Sequence, residues 1–267
     1  MEQIEPSHRS QPGYPHEQIL GIRFFHGTAG EAVQSITRSR GYVIVPAAPA
    51  LVKLRYDDEF RAALTNADLA IPDSGAMVLL WRFLRGRTLN RISGLKYLQS
   101  LTARFFVEKP SVLWVLPTET SREKLARWLQ ANQFPYQKAD FYVAPRYQAT
   151  VEDPQLVALI EQRRSAHVVI GIGSGPQEKL ALYIRERLDY RPAIHCIGAA
   201  LGFLTGDQIA IPNWADRLYL GWLLRLVAQP RIFIPRLARA LELPWLIFRY
   251  GKRLPPLKRQ SEIRDRN

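Results

Sequence analysis

Apolar positions along the chain fall into short continuous runs, and these alternate with longer stretches in which apolar residues recur at helical spacing. "QILGIRF" predicts a short strand, and "TAGEAVQSITRSRG" a helix with Thr28 near its start and Gly41 at its close. "YVIVPAAP" predicts a strand that runs into a proline loop. "DDEFRAALTNA" predicts a helix whose first turn is acidic, as the helix dipole prefers, and "DLAIP" a further strand. Two helices follow, "AMVLLWRFLRG" closed by Gly86 and "LKYLQSLTARFF". The strands "SVLWVL", "QKADFYVAP", "HVVIGI" and "AIHCIG" then alternate with the helices "SREKLARWLQANQ", "DPQLVALIEQRRS" and "PQEKLALYIRERL". Such alternation predicts an α/β fold, a Rossmann-like and mainly parallel sheet with helices on both faces.

Past about residue 205 no strand pattern remains. "NWADRLYLGWLLRLVAQPRIFIPRLARALELPWLIFRYGKRLPP" mixes apolar and aromatic blocks with arginine and predicts helices broken at Pro230, Pro235 and Pro244. The expected layout is a disordered lead-in over residues 1–18, an α/β core over 19–205, and a helical, Arg-rich appendage and tail over 206–267.

Composition narrows the classes. The 267 residues, 47% of them hydrophobic, suffice for a sizeable core. The single cysteine, Cys196, cannot close an intramolecular disulfide and reads as a buried apolar residue. The N-terminus "MEQIEPSHRSQPGYPHEQ" has no apolar centre, so neither a signal nor a transit peptide is expected. Arginines interrupt every apolar run short of the roughly 18 residues of a spanning helix. The formal net charge of +13 calls for an anionic partner. From Asp216 to Asn267 there are 12 Lys or Arg against 4 Asp or Glu, so this segment carries +8 of the +13.

Ligands of open α/β sheets sit at the carboxyl ends of the strands, which directs attention to two turns. In "GIGSGPQEK" the glycines 171, 173 and 175 follow an apolar strand, and Pro176 stands where a helix can begin. Backbone N–H groups there suit a diphosphate or a sugar, with Gly173 and Ser174 in the loop and Gln177 and Glu178 in the first helical turn. The spacing matches neither a dinucleotide fingerprint nor a phosphate loop, and a tight structural turn with a dipole-complementing polar pair on a solvated face explains it equally well. In "AIPDSGAM", Asp73 is either the N-cap of the next helix or a general base held at a strand's carboxyl end.

Other constellations are weaker. The five histidines show no ligand spacing, and His167 and His195 read as core residues. "YDDEF" does not complete a metal-binding DxD, and no metal is expected. No nucleophile elbow is present. The basic appendage suits a packed core with a solvated face, an interfacial helix on an anionic membrane, or an arginine clamp on a diphosphate. No nucleic-acid reading motif accompanies the charge, so nucleic acid is not expected.

The series "ILGIRF", "DDEFRAALTNADLAIPDSGAMV", "RISG", "GIGSGPQEK", "IGAALGFLTG" and "IPNWADRLYLGWLLRLVAQPRIF" resembles the WecG/TagA/CpsF family of bacterial glycosyltransferases, from about Ile19 to Tyr250. The resemblance implies an inverting transfer of an N-acetylhexosamine-type sugar, such as N-acetylmannosamine or its uronic acid, or of a related hexose. The donor would be a UDP-sugar and the acceptor a polyprenyl-diphosphate-linked glycan, without metal or other cofactor. It implies teichoic acid, capsule or exopolysaccharide synthesis by a cytoplasmic protein, peripheral at the inner face of the plasma membrane, with a second copy of the chain as a further candidate partner. Carried over by position, the family's base falls on Asp73, its polar pair near the nucleotide sugar on Gln177 and Glu178, and its appendage arginines on Arg217, Arg225 and Arg231. The chain departs from the pattern at Pro46 and Ala48, at Ser74, at Lys96 in place of Asp, and at Gly202 in place of Asp. A non-catalytic relative that binds nucleotide sugar or lipid-linked glycan and assists a partner enzyme is the alternative these departures raise.

Overall fold

The computed structural model describes residues 15–206 and 230–258. Its eight strands are β1 (His16–Ile19), β2 (Ile22–Phe25), β3 (Gly41–Ile44), β4 (Leu69–Ala70), β5 (Val112–Leu116), β6 (Phe141–Val143), β7 (His167–Ile170) and β8 (Ala193–Cys196). They form one sheet in the order β1-β2-β4-β3-β8-β7-β5-β6, and every pairing except β1 with β2 is parallel. The expected parallel α/β architecture is therefore what the chain adopts. Two details differ: β1 opens at His16, inside the stretch 1–18 expected to be a disordered lead-in, of which 1–14 lie outside the described residues, and "QILGIRF" is not one strand but a hairpin, because Leu20 and Gly21 both take positive φ and turn the chain between β1 and β2.

Parallel strands need crossover connections, and these cover the sheet on both sides. Consecutive strand residues accordingly enter different cores. Tyr42 and Ile44 of β3, Leu113 and Val115 of β5, and Val168 and Ile170 of β7 pack in one apolar cluster, whereas Val43, Trp114 and Val169 pack in the other. The first cluster is completed by α2 (Ala48–Lys53), α3 (Asp58–Thr65), α4 (Gly75–Arg85), α7 (Pro154–Arg163) and α8 (Pro176–Arg187). The second is completed by α1 (Ala29–Ser39), α5 (Gly94–Glu108), α6 (Glu119–Ala131) and α9 (Leu201–Thr205). Helix starts are set by side chains: Thr28 forms a capping box with Glu31, Asp57 accepts from the Phe60 N–H, and Asp153 accepts from the Leu156 N–H and from the hydroxyls of Tyr142 and Tyr147.

Two helices follow the segment 207–229, which lies outside the described residues. Helix α10 (Pro230–Ala240) contains Pro235 in its interior, where a break is expected from sequence, and Pro244 sits in the first turn of α11 (Leu243–Tyr250), where proline is tolerated. Leu243, Leu246 and Ile247 of α11 belong to the first core cluster. Arg55 of the α2 end pairs with Glu242 at 2.5 Å, and the Tyr56 hydroxyl donates to the same carboxylate at 2.8 Å. The chain then returns along the hairpin: the N–H groups of Leu20 and Gly21 donate to the carbonyls of Gly251 and Lys252 at 2.8 and 2.9 Å, and the Lys258 N–H donates to the Arg55 carbonyl.

Gly41 can be nothing else. Its φ is +99°, and a Cβ there would lie 2.1 Å from the Asp68 carboxylate that receives the Tyr42 N–H. His167 and His195, one above the other on neighbouring strands, form a buried chain with Tyr97: Nδ1 of His167 lies 3.0 Å from Nε2 of His195, whose Nδ1 lies 2.8 Å from the Tyr97 hydroxyl. They are core histidines, as the sequence suggests. Burial is the main cause that lowers both, with Arg40 and Arg104 adding to it at His167.

Since both imidazoles are neutral when folded and take a proton readily when unfolded, their contribution to stability is intact above the ordinary histidine value of 6.5 and is lost as pH falls toward about 4, where His167 titrates in the fold. Denaturant midpoints are expected to drop across that window, and His167→Gln to flatten the slope. A slope identical in wild type and variant would refute this origin.

Candidate active site at the carboxyl edge of the sheet

Strands β4, β3, β8 and β7 are consecutive neighbours and point the same way, so the loops at their carboxyl ends stand in a row about 14 Å long at the usual strand spacing. In order these are Ile71–Ser74, Val45–Ala47, Ile197–Ala200 and Gly171–Gly175. Asp73 occupies one end of this row, and Gly173, Ser174, Gln177 and Glu178 occupy the other.

Asp73 is not the cap of the helix that follows it. That role falls to Ser74, whose hydroxyl accepts from the Met77 N–H at 3.2 Å, since the residue adjacent to the first helical one has the reach. The Asp73 carboxylate turns instead toward another element and accepts from the Gly94 N–H at 3.0 Å, at the first residue of α5. Arg91 fixes the same loop: its Nε donates to the Asp73 carbonyl at 2.9 Å and its Nη2 lies 4.0 Å from the carboxylate. The Ile92 N–H donates to the Pro72 carbonyl, so segments 72–73 and 91–94 are stitched together. The Asp73 side chain remains 31% exposed.

At the other end the glycine loop is shaped from within. Gly175 is the N-cap of α8 with φ of +107°, and Glu178, three residues on, reaches back so that its Oε2 accepts from the Gly175 N–H at 2.6 Å. Its Oε1 accepts from the Gln177 amide at 3.0 Å. Gln177 and Glu178 are therefore buried, at 2% and 0% exposure, and the solvated-face reading of this pair fails because the capping geometry pulls Glu178 beneath its own helix start. Burial pushes the Glu178 carboxyl up, and the donors from Gln177, Gly175 and Ser174 oppose that rise. Gln177 spends its amide group on Glu178, which leaves its buried Oε1 without a donor. Ser174 is exposed, and a Cβ on Gly173 would meet nothing within 4 Å, so the loop crest opens outward.

The turn after β8 joins the two ends. A Cβ on Gly198, whose φ is +51°, would lie 3.2 Å from the Gln177 amide nitrogen, and one on Gly94 would lie 3.5 Å from the side chains of both Ala200 and Val45. Asp73, the α5 start, the 198–200 turn and the glycine loop thus form one continuous lining. Lys53, whose Nζ would be 3.6 Å from a Gly175 Cβ, adds a cation beside the loop. Arg91, Gly94, Gly198 and Lys53 carry no role in the sequence reading. "RISG" did signal the first two, as an arginine followed by a Ser-Gly helix start.

The remaining sequence-derived residues stand apart. Arg231 is exposed in the first turn of α10 and forms no ion pair among the described residues; Arg217 and Arg225 lie outside those residues. Lys96 is exposed in the first turn of α5, its N–H bonded to Ser93 Oγ. Pro46 is buried, Ala47 begins α2 without any side-chain cap, Ala48 opens that helix, and Gly202 lies in α9. The acidic "YDDEF" stretch caps α3 through Asp57 and pairs Asp57 and Glu59 with Lys179 at 2.9 and 3.3 Å. Among the described residues no group of three His, Cys, Asp or Glu side chains is placed to hold a metal ion. Cys196 is buried and raised by desolvation, beside the Gln177 carbonyl at 3.5 Å.

Compared with known proteins, residues 17–258 match the family model described as Glycosyl transferase WecG/TagA/CpsF family. No curated protein matches the chain.

Glu178→Gln replaces one of two accepting oxygens with an amide that meets donors on every side. It is expected to lower stability by about 1–3 kcal/mol, read from the urea midpoint at unchanged m-value. An unchanged midpoint would mean that the carboxylate does not hold the loop.

Proposed function

The chain belongs to the WecG/TagA/CpsF family of glycosyltransferases, and from that premise we propose that it is an inverting enzyme. It moves an N-acetylhexosamine-type sugar, N-acetylmannosamine or its uronic acid, from a UDP donor to a polyprenyl-diphosphate-linked acceptor. Asp73 carries the reading: its carboxylate is held by the Gly94 N–H at the carboxyl edge, partly open to solvent and in line with the glycine loop.

In this reaction Asp73 takes the proton of the acceptor hydroxyl as that oxygen attacks the anomeric carbon, and UDP leaves on the opposite face. The carboxylate oxygen bonded to Gly94 is oriented by it, and Arg91 fixes the backbone that carries it. Gln177, with its unsatisfied Oε1, and the open crest at Gly173 and Ser174 face the nucleotide sugar. Negative charge on the diphosphate is offset by guanidinium groups of Arg217, Arg225 and Arg231, so the step needs no metal.

A lipid-linked acceptor places the protein at the inner face of the plasma membrane, where its basic segment from Asp216 onward meets anionic lipid. No helix among the described residues is long and apolar enough to cross a bilayer. One observation favours a non-catalytic sugar-binding relative: Lys96 sits in the α5 turn that also holds Asp73, at a position where the family resemblance expects an acid.

Asn at position 73 can still accept from Gly94 but cannot take a proton. Asp73→Asn is therefore expected to fold and bind UDP normally while sugar transfer falls on the order of a hundredfold or more. The measurement is UDP release across a donor panel with polyprenyl-diphosphate acceptors. Unchanged turnover would remove Asp73 as the base, and UDP binding with no turnover of wild type on any donor would favour the non-catalytic reading.

A further inference from the structure

Helix α4 starts beside Asp73 and ends, about 15 Å away at 1.5 Å per residue, in a second concave surface. This open groove of about 510 Å³ is lined by Trp81, Arg85 and Arg87 from the α4 end and by residues 248–253. Five of its lining residues are cations. Arg85 donates to the carbonyls of Ile247 and Phe248 at 2.9 and 2.7 Å, which closes the end of α11, and Arg87 and Lys252 share the carboxylate of Glu17 at 3.4 Å each. Arg249 and Arg253 have no carboxylate partner among the described residues. One carboxylate against five cations leaves the groove strongly positive.

A second observation points to an acceptor that is missing. Trp81 is 1% exposed and lines the groove, yet its indole N–H has no hydrogen-bond partner. A buried donor left unmade costs stability, and an indole N–H can be satisfied only by an acceptor. One wall of the groove is apolar and outward-facing: the Phe248 side chain is 68% exposed. A site for a soluble anion has no use for a bare phenyl ring. Cations beside exposed aromatic side chains suit a bilayer surface, where the charges meet phosphates and the rings enter the acyl boundary.

We propose that the groove between α4 and residues 248–253 seats the phosphate of an anionic phospholipid, with Trp81, Arg249 and Arg253 as its donors. This rests on the peripheral-membrane reading above and adds to it a discrete headgroup site outside the reacting centre, formed jointly by the α/β core and the C-terminal segment.

The test is co-sedimentation of the full chain with phosphatidylcholine vesicles, with and without phosphatidylglycerol. Wild type is expected to bind only when phosphatidylglycerol is present. Arg249→Glu combined with Arg253→Glu, both at exposed positions, is expected to weaken that binding by more than roughly thirtyfold, the loss from neutralising two cations near an anionic surface, because each reversal adds repulsion. Trp81→Phe, which keeps the ring packing and deletes the N–H, is expected to weaken it roughly tenfold, as for a hydrogen bond to a charged group. If both groove variants bind as wild type while Arg231→Glu does not, the membrane reading stands and the groove site falls. If the double variant fails to bind but Trp81→Phe is indistinguishable from wild type, attraction is diffuse and the seated phosphate is overturned. Glycerol phosphate competing at the affinity of vesicles would overturn the lipid assignment. Wild type that ignores phosphatidylglycerol removes both readings.

Discussion

A parallel strand cannot be reached by a tight turn, and this constraint governs the rest of the molecule. Each of the pairings from β2 to β6 requires a crossover, each crossover brings helices back over the sheet, and the sheet is buried on both faces as a result. The carboxyl ends of the strands then share one edge. Loops from β4, β3, β8 and β7 are neighbours in space although Ser74 and Gly171 are far apart in sequence. The candidate site is a by-product of topology: its residues need only lie just past a strand.

Within that edge two carboxylates have opposite fates. Glu178 is enclosed by donors from its own turn and serves the loop; Asp73 accepts from a backbone N–H of a different helix, lies beside the Arg91 guanidinium, and stays partly open. Of the two, only Asp73 keeps its side chain open to solvent. The same contrast explains why the first turn of α2 matters. With Ala47 at its start and no side-chain cap, the loop after β3 contributes backbone and apolar surface to the lining.

How much of this was legible in the sequence follows from range. Runs such as "SVLWVL" and "HVVIGI" announce strands buried on both faces because a two-sided core leaves no polar alternation to find. Helix starts at Thr28 and Asp57 are local and were readable as a start residue and an acidic first turn. Two of the three failures depended on distant partners. Asp73 and Ser74 are both good caps; Ser74 caps because it adjoins the first helical residue, and the Asp73 carboxylate is drawn instead to Gly94, 21 residues away. Gln177 and Glu178 look solvated because they are polar, and their burial is invisible until the Glu178 carboxylate folds back on the Gly175 N–H. The hairpin at Leu20 and Gly21 was hidden by an apolar pattern that runs unbroken across the turn, and its backbone is secured by carbonyls at positions 251 and 252.

Those last hydrogen bonds join the beginning of the described chain to its end. Residues 251 and 252 hold the turn of the hairpin, and the Arg85 guanidinium reaches carbonyls 162 and 163 positions further along. During synthesis the α/β core can collapse while the C-terminal segment is still unmade, but the α4 end then faces solvent with Trp81 uncovered and no second wall. Both walls exist together only after α11 has docked. Any surface built from them, whatever it binds, is therefore withheld from a chain in which that helix is missing or undocked.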